Sequence, residues 1–261
     1  MLSMTGKRVA MVQSNYVPWK GYFDIINMAE LFVFYDDTQF TKEDWRNRNR
    51  IKTAGGVKWL TVPCGSNLNR LICDVRIESA YWQKKHWSMI RHSYARAPYF
   101  REYAPLFEEM YLGRTWNTLV ELNHAFITRI SREVLGITTE FGDSRDYELP
   151  RGAGKEERWL ELLHRIGTRE FVIGPSARNY LDAARQAEIE AGGIRLLWMD
   201  YSGYPEYRQL HPPFDHHVSI IDLILNEGPS ATEFMKSFRD SGTSAERGAT
   251  SEQPSGQQQR G

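Results

Sequence analysis

Short apolar runs that end in polar residues dominate the first part of the chain. Residues 7–13 contain the apolar run Val9 to Val12, and residues 31–35 are all apolar or aromatic. Consecutive apolar residues are typical of a strand covered on both faces of a sheet. Between the two runs, residues 22–30 carry apolar side chains at the spacing of a short helix. The pattern predicts a β-α-β unit, in which a right-handed crossover makes the two strands parallel.

Strand-like runs and helical periodicity continue to alternate as far as residue 238. They predict an α/β fold, a mostly parallel Rossmann-like sheet with helices on both faces and an added helical segment. The further predicted strands are residues 57–63, 71–77, 137–143, 170–173 and 194–199. The further predicted helices are residues 80–97, 105–112, 118–135, 155–166, 176–190, 219–225 and 230–238.

Three regions follow from this pattern. Residues 1–150 form an N-terminal α/β region with the helical segment and the predicted site, and residues 151–240 form a C-terminal α/β portion packed on the same domain. Residues 241–261 are rich in Ser, Gly, Gln and Glu without a large apolar side chain. Such a segment cannot bury a core, so we predict a disordered tail.

Composition narrows the classes of function. The 33 basic and 33 acidic residues cancel, so no strong overall field attracts nucleic acid or an anionic membrane. No apolar run reaches the roughly 18 residues of a membrane-spanning helix, and the start of the chain lacks a signal-peptide core. We therefore expect a cytoplasmic protein with no membrane insertion and no nucleic-acid partner.

Polar side chains follow both strands of the β-α-β unit. Asp36 and Asp37 come directly after the second strand. Because parallel strands carry their carboxyl ends to one edge, and open α/β sheets bind ligands there, we predict a substrate site at this edge. The predicted binding residues of the strand ends and first loop are Gln13, Asn15, Tyr16, Trp19, Lys20 and Gln39.

The two adjacent carboxylates have two interpretations. One of them could act as a general base toward an amine or hold a metal ion. Alternatively, one caps a turn and the other pairs with Arg46 or Arg48. Alternation along an extended strand points the two side chains in opposite directions, so only one would face a pocket. We assign Asp37 as the preferred base, with Asp36 as a further candidate.

The run from Arg46 to Arg50 alternates strictly between arginine and asparagine. In an extended conformation its guanidinium groups share one side and its amides the other. Guanidinium forks suit phosphate and carboxylate, and amides suit sugar hydroxyls, although structural salt bridges and turns use the same residues. The predicted substrate-binding residues of this run are Asn47, Arg48, Asn49 and Arg50.

Other reactive residues are weaker candidates. His86 can transfer a proton at physiological pH and is the reserve base, although a structural histidine fits its helix as well. Ser176 lies between a strand and a helix, where backbone N–H groups bind anions, and is also a natural N-cap. Cys64 and Cys73 are candidate nucleophiles, but a buried thiol would be unreactive. The histidines at residues 211, 216 and 217 match no zinc spacing, so we assign no metal, and the cofactor stays unknown.

The segments QSNYVPWKGYFD, FVFYDDTQF, WRNRNRIK and WLTVP occur in this order. Together with KHW, APYF, GPSA and SIIDLILNEGP further on, they resemble the bacterial WbqC-like family over almost everything before the tail. The resemblance implies a role in the biosynthesis of O-antigen and other surface polysaccharides or of natural products. It also implies small-molecule group transfer. Where the family commonly reads His-Gln-Pro, this chain has Val12 and Ser14, so no catalytic histidine carries over.

The order of strand, glycine-containing loop, helix and strand is also similar to the opening of pantothenate synthetase and related nucleotidyltransferase-like enzymes. The residues at the place of their His-x-Gly-His motif are Trp19, Lys20, Gly21 and Tyr22. Neither histidine is present, so this likeness supports the sheet more than it supports ATP.

Three functional hypotheses remain open at this stage. The first is a transferase that moves an acyl or aminoacyl group to an amine of a small, sugar-like or specialised-metabolite substrate. Its partners would be a nucleotide sugar or a carrier-bound acyl donor. The second is an ATP-dependent ligase or nucleotidyltransferase-like enzyme, and the third is a noncatalytic subunit of a biosynthetic complex.

Overall fold

A computed structural model describes residues 6–79, 81–148, 155–179 and 181–239 of the protein. Its strands are β1 (Lys7–Val12), β2 (Leu31–Phe34), β3 (Arg48–Thr53), β4 (Gly56–Thr61), β5 (Glu140–Asp143), β6 (Thr168–Ile173) and β7 (Arg195–Trp198). Five strands form a parallel sheet in the order β5-β2-β1-β6-β7, and β3 and β4 form a separate antiparallel hairpin. The predicted α/β fold with a parallel sheet is therefore confirmed.

Helices cover both faces of the sheet, as predicted. The α-helices are α1 (Lys20–Asn27), α2 (Tyr81–Tyr94), α3 (Phe100–Leu112), α4 (Leu119–Arg129), α5 (Lys155–Ile166), α6 (Ala183–Ala191) and α7 (Ile220–Glu227). Helices α1 to α4 and α7 contribute to the larger core on one face, and α5 and α6 contribute to a smaller core on the other.

The unbroken apolar sequence of β2 follows from this double cover. Phe32 and Phe34 belong to the larger core, whereas Leu31 and Val33 belong to the smaller one. Side chains alternate between the faces of a strand, so a strand buried on both faces needs apolar residues at every position. The same alternation continues past the end of β2 and decides where the two aspartates point.

Two of the predicted elements are wrong. Residues 71–77 were expected to form a strand, but Ile72–Asp74 is a 3₁₀ turn. Ile72 and Val75 are fully buried while Leu71 is exposed, so burial repeats after three residues, which is the period of a 3₁₀ turn. The single helix expected over residues 176–190 is instead the 3₁₀ helix Pro175–Asn179 followed by α6, whose first turn is capped by the Asp182 side chain.

The other predicted helices match the observed helices in position, but several of their ends differ. Helix α5 has the predicted limits, and the helix predicted over residues 118–135 continues from α4 into a π-helical turn at Ile130–Val134. The segment predicted over residues 230–238 begins within a 3₁₀ helix, Gly228–Phe234. The boundary predicted at residues 150 and 151 and the tail predicted over residues 241–261 lie outside the described residues. Within the described ranges, no helix has the length and apolar character needed to cross a membrane.

Candidate functional site

A cavity of about 460 Å³ opens at the carboxyl ends of β1 and β6, two neighbouring strands of the sheet. After β1 the chain enters α1 on one face, and after β6 it enters α6 on the other face. Open α/β sheets bind ligands at such a switch point, where the connections leave in opposite directions. The cavity therefore lies where this fold class places its binding sites.

The first loop supplies the polar edge of the cavity by strand-like alternation. Gln13 and Asn15 line the cavity. Ser14 points away from it, because its backbone N–H donates to Asp36 and its hydroxyl accepts from Asn123. The predicted binding residues Gln13 and Asn15 are thus brought together on one side of the loop.

Arg46 reaches the cavity from the turn that precedes β3. Its two terminal nitrogens donate to the side-chain oxygens of Gln13 and Asn15, and its Nε has no hydrogen-bond partner among the described residues. Burial lowers the pKa of the guanidinium. Of the described residues that line the cavity, Arg46 is the only charged one.

Aromatic rings form much of the remaining wall. The rings of Trp19 and Tyr201 meet edge to face with centroids 5.2 Å apart, and Tyr22, Tyr35 and Trp159 also line the cavity. Gly21 permits this arrangement, since a Cβ there would lie 2.3 Å from the Trp19 ring. Burial raises the pKa of the Tyr22 and Tyr201 hydroxyls, which stay neutral near pH 7.

The first loop also holds a strained residue. Val17 has a φ of +35°, which is rare for a β-branched side chain. The Asn49 side chain donates to the carbonyl oxygens of Tyr16 and Val17, at 3.1 and 2.9 Å, and so fixes this conformation. Strain of this kind often marks functional loops. The predicted binding residue Asn49 therefore contacts the site through the loop backbone.

Asp36 and Asp37 point to opposite faces of the sheet, as alternation predicted. Asp36 is fully buried on the α4 face, where it lies 2.7 Å from Nε2 of His124. Asp37 lies on the α5 face, where its carboxylate accepts from Ser144 and pairs with Arg158. Neither carboxylate is among the residues that line the cavity, although Tyr35 and Trp159, which neighbour Asp37 and Arg158 in sequence, are.

Sequence reasoning missed His124. Its ring stacks on Phe34 with centroids 3.7 Å apart, and its side chain is 22% exposed. His124 is not among the residues that line the cavity. The only signal was an Asn-His pair inside the helix predicted over residues 118–135, and nothing local connects it to Asp36, 88 residues earlier.

His86 and Tyr16 belong to a buried network on the other side of the loop. The Tyr16 hydroxyl lies 2.9 Å from Nδ1 of His86 and 2.6 Å from the Tyr111 hydroxyl. Burial lowers the pKa of His86 to about 3, so its ring is neutral. It borders a separate depression of about 390 Å³ beside the hairpin. Its catalytic role stays a prediction.

The other residues of the arginine-rich run stabilise the hairpin and its surroundings. The Arg48 guanidinium stacks on Trp59, 4.2 Å from the ring centroid, and Arg50 donates twice to the carbonyl of His217. Asn47 donates to the carbonyl of Val62. Asn49 also borders a small hollow of about 220 Å³, which shares Asn15 and Trp19 with the cavity.

The remaining predicted residues have different surroundings. Ser176 lines the cavity. Lys20 is buried outside it, where its ammonium donates to the carbonyl of Pro205 and burial lowers its pKa to about 8. Gln39 is exposed and pairs with Leu71 beyond the end of β2. Burial raises the pKa of the Cys64 thiol to about 12 and also raises that of Cys73, which disfavours both as nucleophiles.

Comparison with known proteins adds two findings. The model of the WbqC-like protein family matches residues 13–234, a range that starts at Gln13 and includes most of the cavity. The uncharacterized protein Rv1507c of Mycobacterium tuberculosis is 42% identical over 235 residues, which are 89% of this chain and 99% of that protein. No solved structure matches the chain significantly.

Proposed function

Because the chain belongs to the WbqC-like protein family, we propose that it is a biosynthetic enzyme that transfers an acyl or aminoacyl group to an amine. The acceptor is a small, sugar-like or specialised metabolite, and the donor is a nucleotide-linked or carrier-bound acyl group. The single observation that carries this proposal is the cavity at the switch point of the sheet. It combines aromatic walls, amide groups and one guanidinium in a volume typical of metabolite sites.

Asp37 is the base in this proposal. Asp37 lies two residues beyond Tyr35 and on the same face of the sheet, and Arg158, which holds its carboxylate, precedes Trp159. Both Tyr35 and Trp159 line the cavity. As the amine nitrogen attacks the acyl carbon, the new C–N bond forms, Asp37 accepts the amine proton and the leaving group departs with the acyl bond electrons.

In this proposal, the polar edge of the cavity at the first loop positions the substrate. Gln13 and Asn15 orient Arg46, and Trp19 offers a flat surface on which a sugar or heterocyclic ring stacks. Ser176 also lines the cavity and supplies a hydroxyl. In this proposal the amine of the acceptor extends past Tyr35 and Trp159 to reach Asp37, which does not itself line the cavity.

The experiment is a transfer assay with purified protein, amino-sugar nucleotides as acceptors and acyl thioesters as donors, followed by mass spectrometry. We expect an acylated product and a loss of roughly 100-fold or more in kcat for Asp37→Asn. Asp200→Asn is the matched control, because Asp200 follows β7 and pairs with Lys236 outside the cavity lining. Equal turnover by Asp37→Asn and the wild type would reject Asp37 as the base.

The place of the cavity favours a second candidate, nucleotide-activated ligation, because switch points of doubly wound sheets commonly bind nucleotides. This alternative requires ATP-dependent release of phosphate or pyrophosphate during product formation. Transfer from a thioester at full rate without ATP would exclude it.

A further inference from the structure

The hydrogen bonding of Arg46 is incomplete. A guanidinium has five N–H donors. The acceptors of Arg46 are the neutral amide oxygens of Gln13 and Asn15, and Nε has no acceptor among the described residues. Because Nε is itself buried, the donors left for a molecule that enters the cavity are the second N–H groups of the two terminal nitrogens.

The charge of Arg46 is also uncompensated at close range. By contrast, Arg158 contacts the carboxylate of Asp37 and Arg8 contacts that of Glu170. Arg46 forms no ion pair with any described residue, and desolvation lowers its pKa more than the Coulombic attraction of Asp44 and Asp36 raises it. A buried charge without a directly paired counter-charge is unfavourable, so an anion in the cavity would offset this cost.

The guanidinium is held in place before any ligand arrives. The Asn123 side chain donates to the carbonyl oxygen of Arg46 at 2.9 Å, which fixes the turn. Gln13, one of the two acceptors, is itself held by a 2.6 Å bond from its Nε2 to the Thr38 hydroxyl. A donor fork that is already oriented loses little conformational entropy on binding.

The aromatic wall of the cavity beside Arg46 indicates what kind of ligand bears the anionic group. Trp19 lines the cavity together with Asn15, and its ring is held edge to face against Tyr201. Such a surface suits a planar base or the apolar face of a sugar. A ligand with a ring and an anionic group can occupy both features at once.

We infer that Arg46 is the receptor for an oxyanion, a phosphate or a carboxylate, on a ring-bearing ligand of the cavity. The inference rests on the proposed function only in identifying this ligand as a substrate. Binding itself requires no turnover and is measured separately.

Two pairs of probes test the inference by isothermal titration calorimetry with the full chain. UMP and uridine differ in a phosphate, and glucuronate and glucose differ in a carboxylate. We expect the wild type to bind the charged member of at least one pair about tenfold or more tightly than the neutral member. The pair that shows the difference identifies the oxyanion.

Arg46→Gln is expected to remove this preference, since glutamine keeps hydrogen bonds but not the charge. Arg46→Lys keeps the charge and loses the fork, so an intermediate preference is expected. Arg129→Gln is the matched control and is expected to bind as the wild type does, because Arg129 pairs with Glu109 and Glu133 outside the cavity lining. A receptor arginine also predicts that Arg46→Gln melts no lower than the wild type, whereas a structural arginine predicts a lower melting temperature.

The inference fails if Arg46→Gln and Arg46→Lys keep the full preference for the charged probe. It also fails if the wild type shows no preference or binds none of the four probes at millimolar concentration. Preference for an anion without any acyl transfer would reject the proposed function alone. Acyl transfer without the preference would reject the role of Arg46 alone.

Discussion

The cavity and the β3–β4 hairpin receive arginines from the same short run, yet they use them differently. On the hairpin, the Arg48 guanidinium lies over Trp59 and 3.6 Å from Glu43, and Arg50 donates to the carbonyl of His217 at 2.9 and 2.6 Å. In the cavity, the described hydrogen bonds of the Arg46 side chain go to the neutral amides of Gln13 and Asn15. Arg46 and Arg48 each have an Nε without a hydrogen-bond partner among the described residues. Arg48, however, lies beside a carboxylate and an aromatic ring, whereas Arg46 lines the cavity.

This difference distinguishes arginines that stabilise the fold from an arginine that is available to bind a ligand, within one short run. A guanidinium that is bonded to carbonyl oxygens and stacked on a ring orders the protein around it. A guanidinium held by neutral groups beside a cavity forms its strongest hydrogen bonds with an anionic ligand. The sequence alone does not distinguish the three arginines of the run. Their contacts in the structure do.

The largest expected effect compares Arg46→Lys with Arg50→Lys. Lysine keeps the positive charge and loses the planar fork, so the loss of a bidentate contact should lower kcat/KM of the transfer reaction roughly 100-fold at position 46. At position 50 the change should stay within about threefold, because the Arg50 guanidinium donates to the carbonyl of His217 and does not line the cavity. Equal losses at both positions would contradict the distinction between cavity and hairpin.

A second prediction concerns stability on the hairpin side, where His86 is buried. The unfolded imidazole takes up a proton near pH 6.5, while burial lowers the pKa in the folded protein to about 3. The lowered pKa contributes stability above pH 6.5 that is lost as the pH falls toward 3. By proton linkage, the free energy of unfolding should fall by about 2 kcal/mol between pH 7.5 and pH 5 on account of this residue.

Urea unfolding at several pH values measures this loss. His86→Asn removes the titrating group and should flatten the pH dependence by that amount. His92→Asn, on the exposed side of the same helix, is the control and should leave the dependence unchanged. A flat profile in the wild type would mean that His86 is not buried as a neutral ring.

Much of the fold was predictable because its signals are local. The apolar runs of β1 and β2 and the periodicity of α5 each lie within one segment, and the parallel pairing of β1 with β2 follows from a single crossover. The strand predicted over residues 71–77 was wrong because the apolar residues of this segment fit two patterns. Their spacing agrees with the alternation of a strand and also with the three-residue period of the 3₁₀ turn that forms there.

The site was only partly predictable. Gln13, Asn15, Trp19 and Ser176 line the cavity because strand ends and first loops have a known place in this fold class. Arg46 was expected to share a side with Arg48 and Arg50, but the extended strand starts at Arg48 and the preceding turn directs Arg46 into the cavity. The Asp36 contact with His124 joins segments 88 residues apart, which no local pattern encodes.

The smallest predicted effect compares two tryptophans. Trp19 lines the cavity, and Trp59 is 43% exposed on the hairpin beneath the Arg48 guanidinium. Replacing Trp19 with leucine removes a stacking surface, which should weaken the binding of UMP about tenfold. Trp59→Leu loses an exposed cation–π contact, so it should lower stability by at most about 1 kcal/mol and leave UMP binding unchanged. Calorimetric titration and urea unfolding of both variants measure the two effects. If Trp59→Leu bound UMP more weakly and Trp19→Leu bound it as the wild type does, the binding site would be the hairpin and not the cavity.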